Sequence, residues 1–488
     1  MIEKYYDGAI EQVAAGLGTV EKNHLLVRYS GQFSVENLND TKQLEKNEDI
    51  FVQVHEFETG EITCAYEPYL TMICDGFRRY MTGTFEEFME TCDVYYLHRP
   101  VLLGYFNQDN TGREEIILLD EVAYEQERML AALERMLCAI ADRHPVLFVL
   151  NRFQLASKST MQLTARFLKC ENCNIGLVLG VSDIQAMPEF LVPDWEMLYE
   201  TLDDGSKIYH IGNSGRKKEE TIDDEKYVDY GSEKVYRKLQ NMVEFLDFDQ
   251  AAYYLETIDR KIKFDNLLVD DAARFRMWLL FVKVSILRQD IPKALEICED
   301  LEKIHLAGKE EECAYEQDYL IATAYMYQGK LKEALEMAGE TYRIAGKMSD
   351  DYRMFLSELL EAKIQMSGWY NIFFCAQDVK IKESLIQNLI RYNYRNHLAH
   401  VYIYAYDNKP EIVKKANQSE ELLIYFSRGI RIAKKLGNEY LINMAYQKNI
   451  MLSSTNGMYE ISLLYSVRTY EALKDKRSIQ AGRIYRSE

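Results

Sequence analysis

"HPVLFVLNRFQLASKSTMQLTARFL", from His144 to Leu168, decides how the first half of the chain is read. Val146 to Leu150 is an unbroken apolar run of strand length, and by Thr160 the apolar positions recur with helical spacing. A strand that is apolar on both faces belongs inside a parallel sheet covered by helices. The tip of this strand reads Asn151-Arg152.

Working outward, four more short runs read as strands: Asn23–Gly31, Asp49–Glu58, Asn174–Asp183 and Lys207–Asn213. Helix patterns lie between them, notably Glu125–Arg143. Alternating strands and helices predict an α/β domain with a parallel sheet, placed over residues 1–212. Residues 213–233 are polar and nearly free of large aliphatics, so they read as a linker. Residues 234–488 carry no strand pattern and read as helical hairpins to the end.

Those hairpins recur. "RQDIPKALEICEDL", "YQGKLKEALEMAGETY", "MSGWYNIFFCAQDV" and "AYDNKPEIVKKANQ" begin at 288, 327, 366 and 405, three steps of 39 residues. Looser copies begin at Leu246 and Thr455. A period near 40 with paired helices predicts a superhelical solenoid whose repeats bury their apolar faces only by stacking. "QGKLKEALEMA" is similar to a tetratricopeptide repeat, with Ala334 as the small residue between paired helices. Many of the 36 tyrosines fall on these repeats, where packing between helices is their first role and lining a peptide groove a second.

A net charge of −20 argues against direct DNA binding by this chain, because duplex binding needs Lys and Arg to neutralise phosphates. The densest basic cluster, Arg216-Lys217-Lys218, is followed at once by Glu219 and Glu220. The start lacks a secretory pattern, no run has the roughly 18 apolar residues of a membrane span, and the nine cysteines are scattered. The expectation is a cytoplasmic protein with reduced thiols.

A phosphate-binding loop needs GxxxxGK[ST] between a strand and a helix, so that backbone N–H groups and a Lys meet the phosphates and a hydroxyl meets Mg²⁺. The only suitable place follows the first strand. Gly31 can stand for the first glycine, but Glu36, Asn37 and Leu38 fall on the second Gly, the Lys and the Ser/Thr. An acidic strand tip would order Mg²⁺ and activate water; here Asn151 and Arg152 stand in that place, and Arg152 can do neither.

The order of these segments resembles the AAA-like ATPase module of signal-transduction ATPases with numerous domains (STAND), specifically large LuxR-type, maltose-activator-like bacterial regulators. Leu155-Ala156-Ser157 stands in the family's "WAD" place after the strand tip, and Ser159–Leu168 continues in register. Tyr66, Pro68 and Tyr69 match a "Y-x-P-F" place, and "NIGLVLGVSDIQ" stands where the sensor strand is expected. The resemblance implies a P-loop-NTPase-like parallel sheet followed by tetratricopeptide-like repeats. It covers residues 20 to 210 as a scattered pattern. The P-loop and both tip acids are lost, and no winged helix or helix-turn-helix is seen, so nucleotide switching and DNA binding are carried to no residue.

Other constellations are weak. Cys170 and Cys173 form one CxxC without a second pair, and His397 and His400 lie one helical turn apart with no adjacent acid. No nucleophile, base and orienter assemble. The expectation is therefore a non-enzymatic regulatory protein without catalytic residues, metal or cofactor, which binds a protein or peptide in the groove of its repeats. Two alternatives remain: a LuxR/STAND-type transcriptional regulator, as a fragment or with a DNA-binding partner, and binding of ATP or ADP without hydrolysis.

Overall fold

The computed structural model describes residues 2–19, 24–29, 35, 49–58, 60–109, 112–113, 115–117, 119–170, 174–182, 187–203, 207–211, 229–265, 267–366, 383–404, 419–455 and 459–474. All five expected strands are present: β1 (Leu25–Tyr29), β2 (Phe51–Glu56), β3 (Val146–Asn151), β4 (Ile175–Ser182) and β5 (Lys207–Ile211). They form one sheet in the order β2-β3-β4-β1-β5, and every pairing is parallel. Side chains of β3 and β4 are buried along their whole length, whereas β2, at an edge, is mostly half-buried. That gradient follows from position, because only inner strands are covered on both faces and flanks.

Helix α1 (Ile2–Gly16) packs Tyr6, Ile10 and Val13 against Val27, Leu147, Val149 and Val178 of the sheet. On the opening stretch, a 3₁₀ turn (Phe153–Leu155) leads into α2 (Lys158–Lys169). Ser157 caps α2 by accepting the Thr160 N–H at 3.2 Å, and the helix buries Met161, Leu163, Phe167 and Leu168. Tyr69, from the "Y-x-P-F" place, is fully buried between Phe148 of β3 and Phe167 of α2.

From Glu233 onward only helices occur among the described residues. Six helix-to-helix turns share one geometry, a residue in left-handed conformation followed by the next helix's N-cap: Leu246, Gln289, Gly329, Ser349, Asn393 and Gly437. In each, the N–H of the following residue reaches back five positions, as from Asp247 to Met242 O at 2.8 Å and from Asn438 to Ala433 O at 2.9 Å. This is the Schellman ending, which satisfies carbonyls the helix leaves unpaired.

The tight turns are unevenly spaced. Those at Gln289 and Gly329 fall where the repeats at 288 and 327 begin, but the later ones at Ser349, Asn393 and Gly437 step by 44 residues. The stretches at 367–382 and 405–418, which hold most of the expected third and fourth copies, lie outside the described residues. Ala334 is fully buried among Ala322, Leu331, Ala338, Leu360 and Ile364, the close-contact role expected of it.

Compactness divides the chain along another line than secondary structure does. One unit comprises Met1–Arg113 with Val122–Ile304, and the other comprises Glu114–Glu121 with His305–Glu488. Among the described residues the last strand ends at Ile211 and the next helix begins at Glu233, and the first compact unit runs on to Ile304. The first helices after the strands pack with α2: Ser159 N–H donates to Asp247 at 3.0 Å, and Lys158 pairs with Asp249. Most of the expected linker, 212–228, lies outside the described residues.

Candidate functional site

In an open parallel sheet, ligands bind beyond the carboxyl ends of the strands. Here β1, β2 and β3 end at Tyr29, Glu56 and Asn151, and the parallel register sets Glu56 opposite Asn151. Asn151 is fully buried and accepts a hydrogen bond from the Tyr29 hydroxyl at 2.7 Å. Its side-chain oxygen is therefore committed to Tyr29 of β1, across the intervening β4.

Arg152 leaves the strand in the left-handed conformation (φ 53°, ψ 41°). That region is uncommon for a side chain of this size, and it places Nε 3.3 Å from Glu56 Oε1. The second oxygen of Glu56 accepts the backbone N–H of Val35 at 3.1 Å. Val35 lies within the stretch tested as a phosphate loop, and this amide, which a phosphate would need, is given to a carboxylate. Gly31, Glu36, Asn37 and Leu38 lie outside the described residues.

Two phenols complete the edge. Burial pushes the Tyr29 hydroxyl up to about 12, while the positive charge of Arg152 pulls it the other way. Burial also raises Tyr6 well above its ordinary value, and neighbouring Tyr29 and Glu56 add to this. Both hydroxyls are protonated at neutral pH and can donate. Gly180 on β4 is where this cluster is tightest. A Cβ there would come within 2.7 Å of Asn151 Oδ1 and closer still to the Tyr6 hydroxyl. Among the described residues, Tyr6, Tyr29, Asn151 and Gly180 pack closely at this edge, and Arg152 pairs with the Glu56 carboxylate.

Sequence reading found Asn151 and Arg152 but missed Glu56, Tyr6 and Tyr29. Glu56 carried a signal, since it closes a strand pattern and parallel register brings strand tips together. Tyr6 carried none, because its helix reads as an ordinary amphipathic segment.

The remaining candidates separate. Cys170 lies beside Cys138 (Sγ–Sγ 3.6 Å), whose thiol is pushed up by burial and by Cys170, and Cys173 lies outside the described residues. His397 faces an acid after all: its Nδ1 lies 2.6 Å from Glu115 Oε1, a residue 282 positions away that no local pattern could link to it. Among the described residues no group of three His, Cys, Asp or Glu is placed to hold a metal ion, and no helix is long and apolar enough to cross a membrane.

No protein-family model matches the chain, and no curated protein matches it significantly. Among solved structures, the chain is similar to a signal transduction ATPase with numerous domains (STAND) protein with a tetratricopeptide repeat sensor from Pyrococcus horikoshii. The identity is 9% over 92% of this chain and 81% of that one, with a TM-score of 0.43. A likeness this distant assigns neither family nor function.

Proposed function

We propose that this chain is a non-enzymatic regulatory protein whose helical repeats bind a protein or peptide and whose α/β part has lost nucleotide turnover. The observation that carries the reading is the Arg152–Glu56–Val35 chain across the strand tips. Metal-assisted phosphoryl transfer needs free carboxylates for Mg²⁺ and free amides for phosphate. At this edge the carboxylate is held by a guanidinium and the amide by the carboxylate. Recruiting either group for MgATP would first break the pair.

The repeats support the binding half of the reading. Stacked helical pairs expose extended surfaces suited to partners, and Tyr327, Tyr342, Tyr352 and Tyr459 present large exposed rings. Isothermal titration with MgATP tests the proposal. It predicts no saturable heat up to millimolar nucleotide; micromolar binding accompanied by hydrolysis would overturn it.

A further inference from the structure

The segment Glu114–Glu121 belongs to the second compact unit, although residues of the first unit flank it in sequence on both sides. Within that unit it behaves as a bound peptide. One Glu115 oxygen accepts the Asn396 N–H at 3.1 Å; the other accepts the His397 N–H at 2.6 Å and faces the His397 ring at the same distance. These two amides open the helix Arg395–Tyr404, so the carboxylate sits at the positive end of a helix.

Glu121 is held in the same manner. It accepts from Asn396 Nδ2 at 2.8 Å and from Asn438 Nδ2 at 3.2 Å, and Asn438 also caps the helix Glu439–Thr455 through the Leu441 N–H. Glu115, Glu121, Asn396, His397 and Asn438 are all essentially sealed from solvent. Burial pushes His397 well below its ordinary value, with the Lys363 charge adding to the effect. A neutral ring can still donate its Nδ1–H to Glu115. Its Nε2 is buried with no hydrogen-bond partner among the described residues.

Apolar anchors lie between the two acids. Ile116 packs on a cluster of Phe355, Leu359, Leu385, Leu389, Tyr394 and Val401, and Leu119 is buried. The pattern Glu-Ile-x-x-Leu-x-Glu thus meets five N–H donors and an apolar floor, every one supplied by the repeats.

We propose that Asn396, His397 and Asn438 form a recognition site for acidic peptide segments with two carboxylates flanking aliphatic residues. The chain's own Glu115, Ile116, Leu119 and Glu121 occupy it in cis. This deepens the scaffold reading by naming the chemistry of the partner. Donors aimed at two buried carboxylates select acids, because a neutral or basic side chain would leave them unpaired in a dry site. A tethered occupant has an effective concentration on the order of millimolar, so a partner must compete with it.

The test uses the full chain and a fluorescent peptide, GREEIILLDEVA, which copies residues Gly112–Ala123. Glu115→Ala/Glu121→Ala, which vacates the site, should bind it at least about tenfold more tightly than wild type. A peptide with Gln at both glutamates, or His397→Ala added to the vacated variant, should lose about tenfold. Should the vacated variant fail to fold, hydrogen exchange on wild type decides. Millimolar peptide should speed exchange at 115–121 while residues 395–400 stay protected. Equal binding by wild type and variant, indifference to Glu→Gln, or unchanged exchange would each show a cis structural staple and overturn the proposal. Those results would leave the scaffold reading standing, whereas MgATP turnover would remove that reading and leave this site untouched.

Discussion

Two regions of the molecule handle carboxylates in opposite ways. At the sheet edge, where acids would serve chemistry, Glu56 is paired with Arg152 and tied to Val35. In the repeats, Glu115 and Glu121 are buried and held by amide and imidazole N–H groups. The first arrangement pairs charge with charge at a half-open edge. The second surrounds two buried carboxylates with N–H donors at helix starts, an arrangement suited to anions. Under the proposal, the second unit binds a partner and the first does not turn over nucleotide.

The comparison can be broken most sharply at Glu115. Glu115→Ala leaves two amides and an imidazole N–H buried without an acceptor, which costs about 3 kcal/mol. Denaturant unfolding of the second unit should shift accordingly. A loss under ~0.5 kcal/mol would mean that water replaces the carboxylate easily and that the site is not dry.

Acidity supplies the next test. Asp247, buried beneath α2, is raised by burial from its ordinary carboxylate value to about 6. The folded chain then holds a proton that the unfolded chain releases between about pH 4 and 6. Stability from this group is complete below the unfolded value and is lost as pH rises through 6, by roughly 3 kcal/mol at most. His397 acts oppositely: its lowered value makes the folded state resist a proton the unfolded state accepts, so its contribution falls away as pH drops below about 6.5. Asp247→Asn should flatten the first profile and leave the second, as read by thermal melts across pH 4–8.

Gly180→Ala forces a methyl against Tyr6 and Asn151, for an expected loss of about 2 kcal/mol. Tyr6→Phe in the same chain should recover part of that loss, and strict additivity of the two changes would show that the phenol is not at the edge. The smallest effect is expected of Arg152→Ala. The pair with Glu56 is partly open to solvent, so about 1 kcal/mol is expected, shrinking as salt rises.

Much of the fold was legible because it depends on local pattern. Apolar runs such as Val146–Leu150 and Leu177–Leu179 mark strands wherever they occur, and Gly329 and Gly437 mark turns. The turns at Leu246 and Gln289 fall where copies were placed, but those at Ser349 and Asn393 were hidden, because there tertiary packing, not glycine, imposes the left-handed residue. The site was half legible. Asn151 and Arg152 could be named from strand position, but Glu56 joins them only through sheet register, and Glu115 meets His397 only after the repeats stack.

The central claim is that the sheet edge no longer turns over nucleotide, and phosphate release from MgATP by the purified full chain tests it most directly. The account predicts release indistinguishable from buffer for wild type, Glu56→Gln and Gly31→Trp alike. Multiple turnover by wild type that Glu56→Gln or Gly31→Trp abolishes would contradict it, because the edge would then be a working site and not a filled one.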